Sequence, residues 1–517
     1  MSPSIDLLGP LRRYWGYDSF RSLQERIVRS LLDGHDVCVV MPTGGGKSLC
    51  YQLPAVVLGR TAVVISPLIA LMQDQAAQLA QMGIPAAVVN SAQPPHEQHQ
   101  AMRRAAAGEC RLVYLSPERL ARPDTIGWLQ RVPVGLFAID EAHCISEWGH
   151  EFRPEYRQLS CLRENFPSTP IAAFTASATR RVRHDILAQL RLRDPHKYIV
   201  SFHRPNLRYL VRECDKNTQP RLLVRALRAH AGANVIVYSP TIAQVEQTVD
   251  FLAERGIEAV PYHGQMDAAT RRRNQERWMS DEVPVLVGTI AFGLGINKPS
   301  VRAVIHLALP KSLEQYYQEA GRAGRDGEPA DCALLWRKKD AGLLVHFIQQ
   351  IADPAEKDRA WQRYHAMRRF AESARCRHRQ ICLHFGETPK WEQCGACDVC
   401  GVEPDWLRVA DVEEPLPVRR EVPPISPVPI PVVDPELREY LREWRRRLAQ
   451  RNNVPAYIVL HDTALDDLCR KRPRSLAELL RVTGIGERKA ELYGSEIFAV
   501  LEAFDRGARA TPKPAPA

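Results

Sequence analysis

Apolar residues along this chain come in short runs separated by longer helical stretches. Between about residues 36 and 200 the runs are Val37–Met41, Ala62–Ser66, Leu112–Ser116, Gly135–Asp140 and Ile171–Thr175. Strands alternating with helices in this way predict a parallel sheet covered by helices on both faces. A second series follows at Asn234–Tyr238, Ala259–Tyr262, Val285–Thr289, Val301–Leu307 and Cys332–Trp336. The pattern therefore predicts two tandem α/β units, with a loop near residues 205–218 as their hinge. No internal repeat beyond these two units is visible.

The pattern then changes. Residues 340–402 read as helical and then cysteine-rich. Residues 404–435 hold nine prolines, which exclude a helix or central strand and predict a semi-rigid, partly polyproline II linker. Residues 436–504 return to a helical, basic pattern with Arg445, Arg446 and Arg447 together. The expected domains are 1–205, 206–338, 339–402, a linker over 403–435, 436–506, and a disordered tail over 507–517.

Composition narrows the class. A chain of 517 residues is too long for one core. A formal charge of +10 and a pI near 9.0 favour polyanionic partners, nucleic acid first. No apolar run approaches the roughly 18 residues that span a bilayer, and Met1–Pro10 has no signal-peptide pattern. A cytoplasmic, nucleoid-associated location is the expectation. Most of the thirteen cysteines sit singly in apolar runs, as Cys38 and Cys332 do, and read as small buried hydrophobes in a reducing cell. Only the group near residue 400 is clustered, as a metal site would be.

The first chemistry-bearing motif follows the first strand: Pro42-Thr43-Gly44-Gly45-Gly46-Lys47-Ser48, then a helix. Glycines let backbone N–H groups turn toward phosphate oxygens, and a helix N-terminus adds positive potential. Lys47 would reach the β- and γ-phosphates and the Ser48 hydroxyl would hold Mg²⁺. Met41 stands where the general pattern has its first glycine. About 90 residues on, the strand Gly135–Ile139 ends in Asp140-Glu141-Ala142-His143. A carboxylate at the C-terminal end of such a strand faces the nucleotide crevice; Asp140 would contact Mg²⁺ and Glu141 would position and deprotonate the attacking water.

Further motifs follow in a fixed order: Tyr17, Phe20-Arg21 and Gln24; Ser66-Pro67-Leu68-Ile69; Ser116-Pro117-Glu118-Arg119-Leu120; Thr175-Ala176-Ser177-Ala178-Thr179; Ala291-Phe292-Gly293-Leu294-Gly295-Ile296-Asn297; and Gln318-Glu319-Ala320-Gly321-Arg322-Ala323-Gly324-Arg325. Over residues 7–402 this set resembles a superfamily 2 helicase of the RecQ family. The resemblance implies two RecA-like domains and gives the motifs their roles. Tyr17 would stack on adenine while Gln24 and Arg21 read its edge. Arg325 would be the arginine finger, flanked by Arg322 and Gln318.

The stretch Ser146–Tyr156 carries Trp148, His150, Phe152 and Arg153. Its composition suits base stacking and phosphate contact without sequence preference. The resemblance makes it a sensor of single-stranded DNA, coupled to the nucleotide site through His143 and Trp148. Thr175, Thr179, Thr289 and Asn297 would contact DNA phosphates or the other domain. One departure is Ile242, where relatives usually carry a basic residue.

Cys394, Cys397 and Cys400 are spaced for one tetrahedral zinc. Cys376 matches the fourth ligand of the RecQ zinc helix; by spacing alone Cys382 or His384 would serve. A four-cysteine site is closed, so this zinc would be structural. Residues 436–504 resemble the small all-α HRDC domain, and the Thr483-Gly484-Ile485-Gly486 turn with Arg488 and Lys489 suits a DNA phosphate. The winged-helix domain that many bacterial relatives carry before the HRDC domain is absent.

The expectation is thus an ATP-, Mg²⁺- and Zn²⁺-dependent monomeric motor. It would move 3′ to 5′ on single-stranded DNA, open tailed or forked duplexes, and work beside a single-strand-binding protein or other repair proteins. The alternatives are a DNA-stimulated ATPase that anneals strands or acts as a switch with little unwinding, and an RNA remodelling enzyme.

Overall fold

The computed structural model describes residues 5–90, 93–289, 298–401, 403–408, 434–452, 454 and 456–510. The first α/β unit is a seven-stranded parallel sheet: β1 (Val37–Val40), β2 (Thr61–Ile65), β3 (Ala86–Val89), β4 (Leu112–Leu115), β5 (Val134–Ile139), β6 (Ile171–Thr175) and β7 (His196–Ile199). Their order across the sheet is β3-β4-β2-β5-β6-β1-β7. The second has six parallel strands: β8 (Leu207–Glu213), β9 (Asn234–Tyr238), β10 (Ala259–Tyr262), β11 (Val285–Gly288), β12 (Val301–His306) and β13 (Ala330–Trp336), ordered β10-β11-β9-β12-β13-β8. The central strands β1, β2, β4, β6, β9, β11 and β13 are buried along their whole length. Their unbroken apolar runs require this, because helices cover both sheet faces.

The hinge expected near residues 205–218 is not a loop there. Residues 207–213 form the edge strand β8, paired in register with β13 from Leu207↔Ala330 to Trp336↔Glu213. Leu207, Tyr209 and Leu210 enter the cores while Arg208 and Arg212 stay partly open. These two arginines hid the strand in the apolar pattern. The connection between lobes is the shorter stretch 200–206.

After β13 come the helices Lys338–Gln349, Pro354–Glu372 and Arg377–His384, and then the cysteine loop. The HRDC-like region contains the helices Pro435–Arg451, Ala456–Val459, Asp462–Lys471, Leu476–Leu479 and Glu487–Asp505. Residues 409–433, most of the proline-rich stretch, lie outside the described residues, as does the tail from 511. No helix among the described residues is long and apolar enough to cross a membrane.

Candidate nucleotide cleft, zinc centre and DNA-coupling loop

The loop after β1 curls because Gly44 and Gly46 take φ of +80° and +85°, which a side chain would oppose. Lys47 is half-buried beneath it and donates from Nζ to the Met41 carbonyl at 3.0 Å. Burial lowers the Lys47 pKa, against the pull of Glu141 and Asp140. The Ser48 hydroxyl accepts from Gln75 Nε2 at 3.2 Å. Gln75 was not singled out from the sequence; its Oε1 also accepts from the Tyr51 and Tyr114 hydroxyls at 2.9 and 3.0 Å.

The two acids at the end of β5 differ in environment. Burial and the adjacent Glu141 raise the Asp140 pKa, opposed by Lys47. Burial also works to raise Glu141, but its hydrogen bond to His143, that ring's charge and Lys47 outweigh burial and hold it low. Glu141 adopts a left-handed backbone, φ 45° and ψ 45°, a strained conformation of the kind that clusters at functional sites. His143 Nδ1 lies 3.3 Å from the Glu141 carboxylate and 3.0 Å from Thr175 Oγ1.

On the base side of the cleft, Tyr17 is 37% exposed. The Gln24 amide accepts from the Arg21 backbone N–H at 2.8 Å and donates to the Gly46 carbonyl at 3.1 Å. Arg21 Nη1 donates to the Gly44 carbonyl at 2.5 Å. Here, then, Gln24 and Arg21 brace the phosphate loop, and Gln24 also lines the cavity.

The second lobe closes the opposite wall. A Cβ placed on Gly44 would stand 3.1 Å from Arg325 Cγ, so the arginine lies directly on the phosphate loop. Thr43 Oγ1 donates to the Gly321 carbonyl at 2.9 Å, and Gln318 Nε2 donates to Ser177 Oγ at 2.9 Å. Burial, with Arg322 and Arg204 nearby, pushes the Arg325 pKa down to about 9. Lys47, Ser48, Asp140, Glu141, Gln318, Arg322 and Arg325 all line one cavity of about 560 Å³. Partly buried cations converging on one cleft suit a polyanion. The missed residue here is Arg204, between β7 and β8, which binds carbonyls on both walls; nothing in its local sequence marks it.

The Ser146–Tyr156 stretch is a folded turn on the motor. His150 stacks on His143 with centroids 4.5 Å apart, and burial pushes its pKa down to about 4, with His143 adding to the effect. The Arg181 guanidinium sits 3.1 Å over the Trp148 ring, and Arg359 lies 5.5 Å from it. Arg153 pairs with Glu151 at 2.8 Å, and Phe152 is half-buried, 5.5 Å from Arg157. Thr175 is buried, and Thr179 caps the helix Arg180–Gln189 through the Val182 N–H. Those hydroxyls hold local structure here. Thr289 donates its backbone N–H to the Tyr262 carbonyl at 3.2 Å. Asn297, with Ala291–Ile296, lies outside the described residues.

The thiols of Cys376, Cys394, Cys397 and Cys400 lie within 4.8 Å of one another. Backbone N–H groups of Arg377 and Ala396 point at the Cys397 and Cys394 sulfurs at 3.5 and 3.4 Å. Four clustered sulfurs suit zinc. Cys382 is buried in the core, and His384 binds Glu314 at 2.6 Å; neither joins the cluster.

The turn expected to meet DNA phosphate in the last domain is docked on protein. Gly484 N donates to the Gly16 carbonyl at 3.3 Å. A Cβ on Gly486 would collide with the Arg13 and Tyr14 carbonyls. Lys489 is only 4% exposed. Lys489, His461, Thr463 and Thr483 instead form an outer wall of the nucleotide cavity.

The chain matches four families in order: DEAD/DEAH box helicase over residues 21–186, helicase conserved C-terminal domain over 218–327, RecQ zinc-binding over 338–401, and HRDC domain over 434–501. It is 34% identical to the ATP-dependent DNA helicase RecQ of Haemophilus influenzae, covering 96% of this chain and 95% of that protein. It is 32% identical to the ATP-dependent DNA helicase RecQ of Bacillus subtilis, covering 96% and 98%. The first alignment runs over 595 positions, more than the 517 residues here, so that relative carries residues this chain lacks. Among solved structures, helicase MrfA bound to DNA shares the fold at TM-score 0.54 and 18% identity, over 65% of this chain and 52% of that one.

Proposed function

The chain belongs to the RecQ family of ATP-dependent DNA helicases, and from that premise we propose that it moves 3′ to 5′ along single-stranded DNA and opens tailed or forked duplexes in DNA repair and recombination. The observation that carries the reading is the cleft, where Lys47 and Glu141 of one lobe share a cavity with Arg322 and Arg325 of the other. Hydrolysis in such a cleft changes how the lobes are held together, and a strand bound across both is advanced.

Glu141 orients the attacking water and accepts its proton. Lys47, Arg322 and Arg325 stabilise the charge that spreads over the transferred phosphoryl group. Ser48 and Asp140 supply hard oxygen ligands of the kind Mg²⁺ takes, and the ion would neutralise phosphate charge there. The Glu141–His143–His150 contacts, with Gln318 reaching His150, support a path from the Trp148–Arg153 loop to the water-positioning acid. DNA replacing Arg181 on the Trp148 ring would perturb that path. Zinc on the four cysteines would supply folding energy. Without a winged-helix domain the protein would load on single-stranded tails as a monomer in the nucleoid-associated cytoplasm, beside single-strand-binding or repair proteins.

Unwinding of 3′-tailed, 5′-tailed and forked duplexes with ATP tests the reading. Opening only where a 3′ tail is present, abolished by Lys47→Ala and Glu141→Gln, is expected. ATP hydrolysis without strand separation would favour the annealing or switch alternative, and stronger stimulation by RNA would favour RNA remodelling.

A further inference from the structure

Arg204 lies in the short connection between the lobes, three residues before β8. Its two Nη groups donate to backbone carbonyls, and its Nε donates to Asn206 Oδ1 at 3.4 Å. Nη1 reaches Thr43 and Gly321, each at 3.4 Å, and Nη2 reaches Ala323 at 3.1 Å and Gly324 at 2.7 Å. Thr43 belongs to the phosphate loop, and Gly321–Gly324 is the turn that carries Arg322 and leads into Arg325. Asn206 reinforces that turn, donating from Nδ2 to the Gly324 and Glu328 carbonyls, both at 2.9 Å. Gly324 takes φ +52°, and a Cβ there would meet Asn206 Nδ2 at 2.5 Å, so the turn and the connector are fitted to each other. On its other side the connector touches the zinc module: His378 Nε2 lies 3.1 Å from the Arg204 carbonyl and His378 Nδ1 3.2 Å from Cys394 Sγ.

We propose that Arg204, braced by Asn206, is a positioning residue for ATP hydrolysis: it ties the phosphate loop to the arginine-bearing turn and so sets where Arg325 stands against the transferred phosphoryl group. The planar fork is what makes this possible. One guanidinium spans carbonyls of two lobes with fixed geometry, which a lysine ammonium on a flexible stem does not reproduce. The connector is also the covalent joint of the lobes, so a change in lobe angle acts on the finger turn directly. His378 places the zinc cluster behind the same joint, which links zinc-module integrity to the chemistry without a zinc ligand approaching the nucleotide.

The inference rests on the reading of Arg325 as the hydrolytic arginine, and the experiment separates the two. Steady-state ATPase of Arg204→Lys, Arg325→Ala and the double variant is measured with saturating single-stranded DNA, alongside thermal unfolding and zinc content. Displacing a catalytic group by about an ångström costs on the order of a hundredfold. Arg204→Lys is therefore expected to lower kcat about ten- to a hundredfold with KM for ATP within about twofold, and with unfolding temperature and zinc unchanged. In the double variant kcat is expected to equal that of Arg325→Ala alone, because Arg204 acts through the finger. Wild-type kcat in Arg204→Lys, or multiplying losses in the double variant, overturns the inference. Undiminished turnover in Arg325→Ala overturns the site reading instead. Should Arg204→Lys fold poorly, Asn206→Ala, which releases the same Gly324 carbonyl, is expected to show the same kcat-only loss; an unchanged kcat there is equally decisive against the proposal.

Discussion

The zinc module and the HRDC domain both follow the second lobe, and the motor holds them in different ways. The zinc module shares the motor's core. Phe385 stacks on Phe202 at 4.4 Å, Tyr316 packs on Phe370 at 5.4 Å, and one cluster of buried side chains runs from the first lobe through Phe370, Ile381 and Phe385 into the second. The same helix end also binds the first lobe, where Arg183 Nη2 donates to the Phe385 carbonyl at 3.1 Å and Ser201 Oγ donates to Glu387 at 2.6 Å. The HRDC domain, by contrast, closes a core of its own, from Leu437 to Phe504. Apart from Ile458, which joins the motor's cluster, and Val454, which packs against it, it meets the motor largely through polar groups: Glu487 with Arg13, Asp462 with Ser300, Arg442 and Arg445 with Asp281, and Tyr493 with Gln81. The first module is part of the engine block; the second is a separate body latched across both lobes.

Removing zinc should break that difference open. Cys397→Ser is expected to destabilise the protein by more than about 4 kcal/mol, since a structural metal contributes folding energy outright. ATPase is expected to fall as well, because the module's core is the motor's core. Metal analysis, unfolding and ATPase of one preparation check this. A zinc-free protein with full stability and turnover would place the zinc module with the HRDC domain as a detachable part.

Phe385→Ala probes the shared core without touching a ligand. Truncating a buried aromatic costs about 3–5 kcal/mol, and the loss should appear in the unfolding of the whole motor with zinc retained. A separate low-temperature transition for residues 338–401 would contradict a shared core.

Deleting residues 434–517 should do far less to the motor. Stability of the two lobes and DNA-stimulated ATPase are expected to persist. Because the HRDC domain forms one wall of the nucleotide cavity, KM for ATP is expected to rise. Losing peripheral contacts worth up to about 1 kcal/mol corresponds to roughly fivefold. Loss of all ATPase on deletion would show the latch to be integral.

Legibility in the sequence follows the same division. The phosphate loop, Asp140-Glu141 and the Cys394–Cys400 run could be read because their chemistry is local: residues a few positions apart do one job. Both central sheets could be read because fully buried strands leave unbroken apolar runs. β7 and β8 were missed because they lie at sheet edges, where charged residues such as Lys197 and Arg212 interrupt the pattern; β3, also at an edge, is a short apolar run, Ala86–Val89, too brief to stand out. Arg204 was missed because its firmest partner, Gly324, lies 120 residues away. Docking of the HRDC turn was missed because Arg488 and Lys489 beside two glycines look the same whether they face a phosphate or a protein surface.

Lys489 supplies the finest test of the comparison. In the zinc module the buried cation Arg377 is matched by Asp398, with two contacts at 2.9 Å. In the HRDC domain Lys489, equally buried, donates to the Ile458 carbonyl at 3.4 Å, and burial alone pushes its pKa down to about 8. Its folded value lies below its unfolded one, so between about pH 8 and pH 10.5 the unfolded chain binds more protons at this site. Stability at this site therefore rises with pH through that window, and the full cost of the charge is present at neutral pH. That cost is at most about 3 kcal/mol. Lys489→Met, similar in length and uncharged, should stabilise the HRDC domain by about 1–3 kcal/mol at pH 7 and lose its advantage by about pH 10.5. Comparing variant and wild type at each pH cancels the titration of every other lysine. A variant no more stable than wild type at pH 7, or an advantage that persists unchanged to pH 10.5, would mean that the ammonium is solvated, and that the HRDC domain stands away from the nucleotide cleft rather than against it.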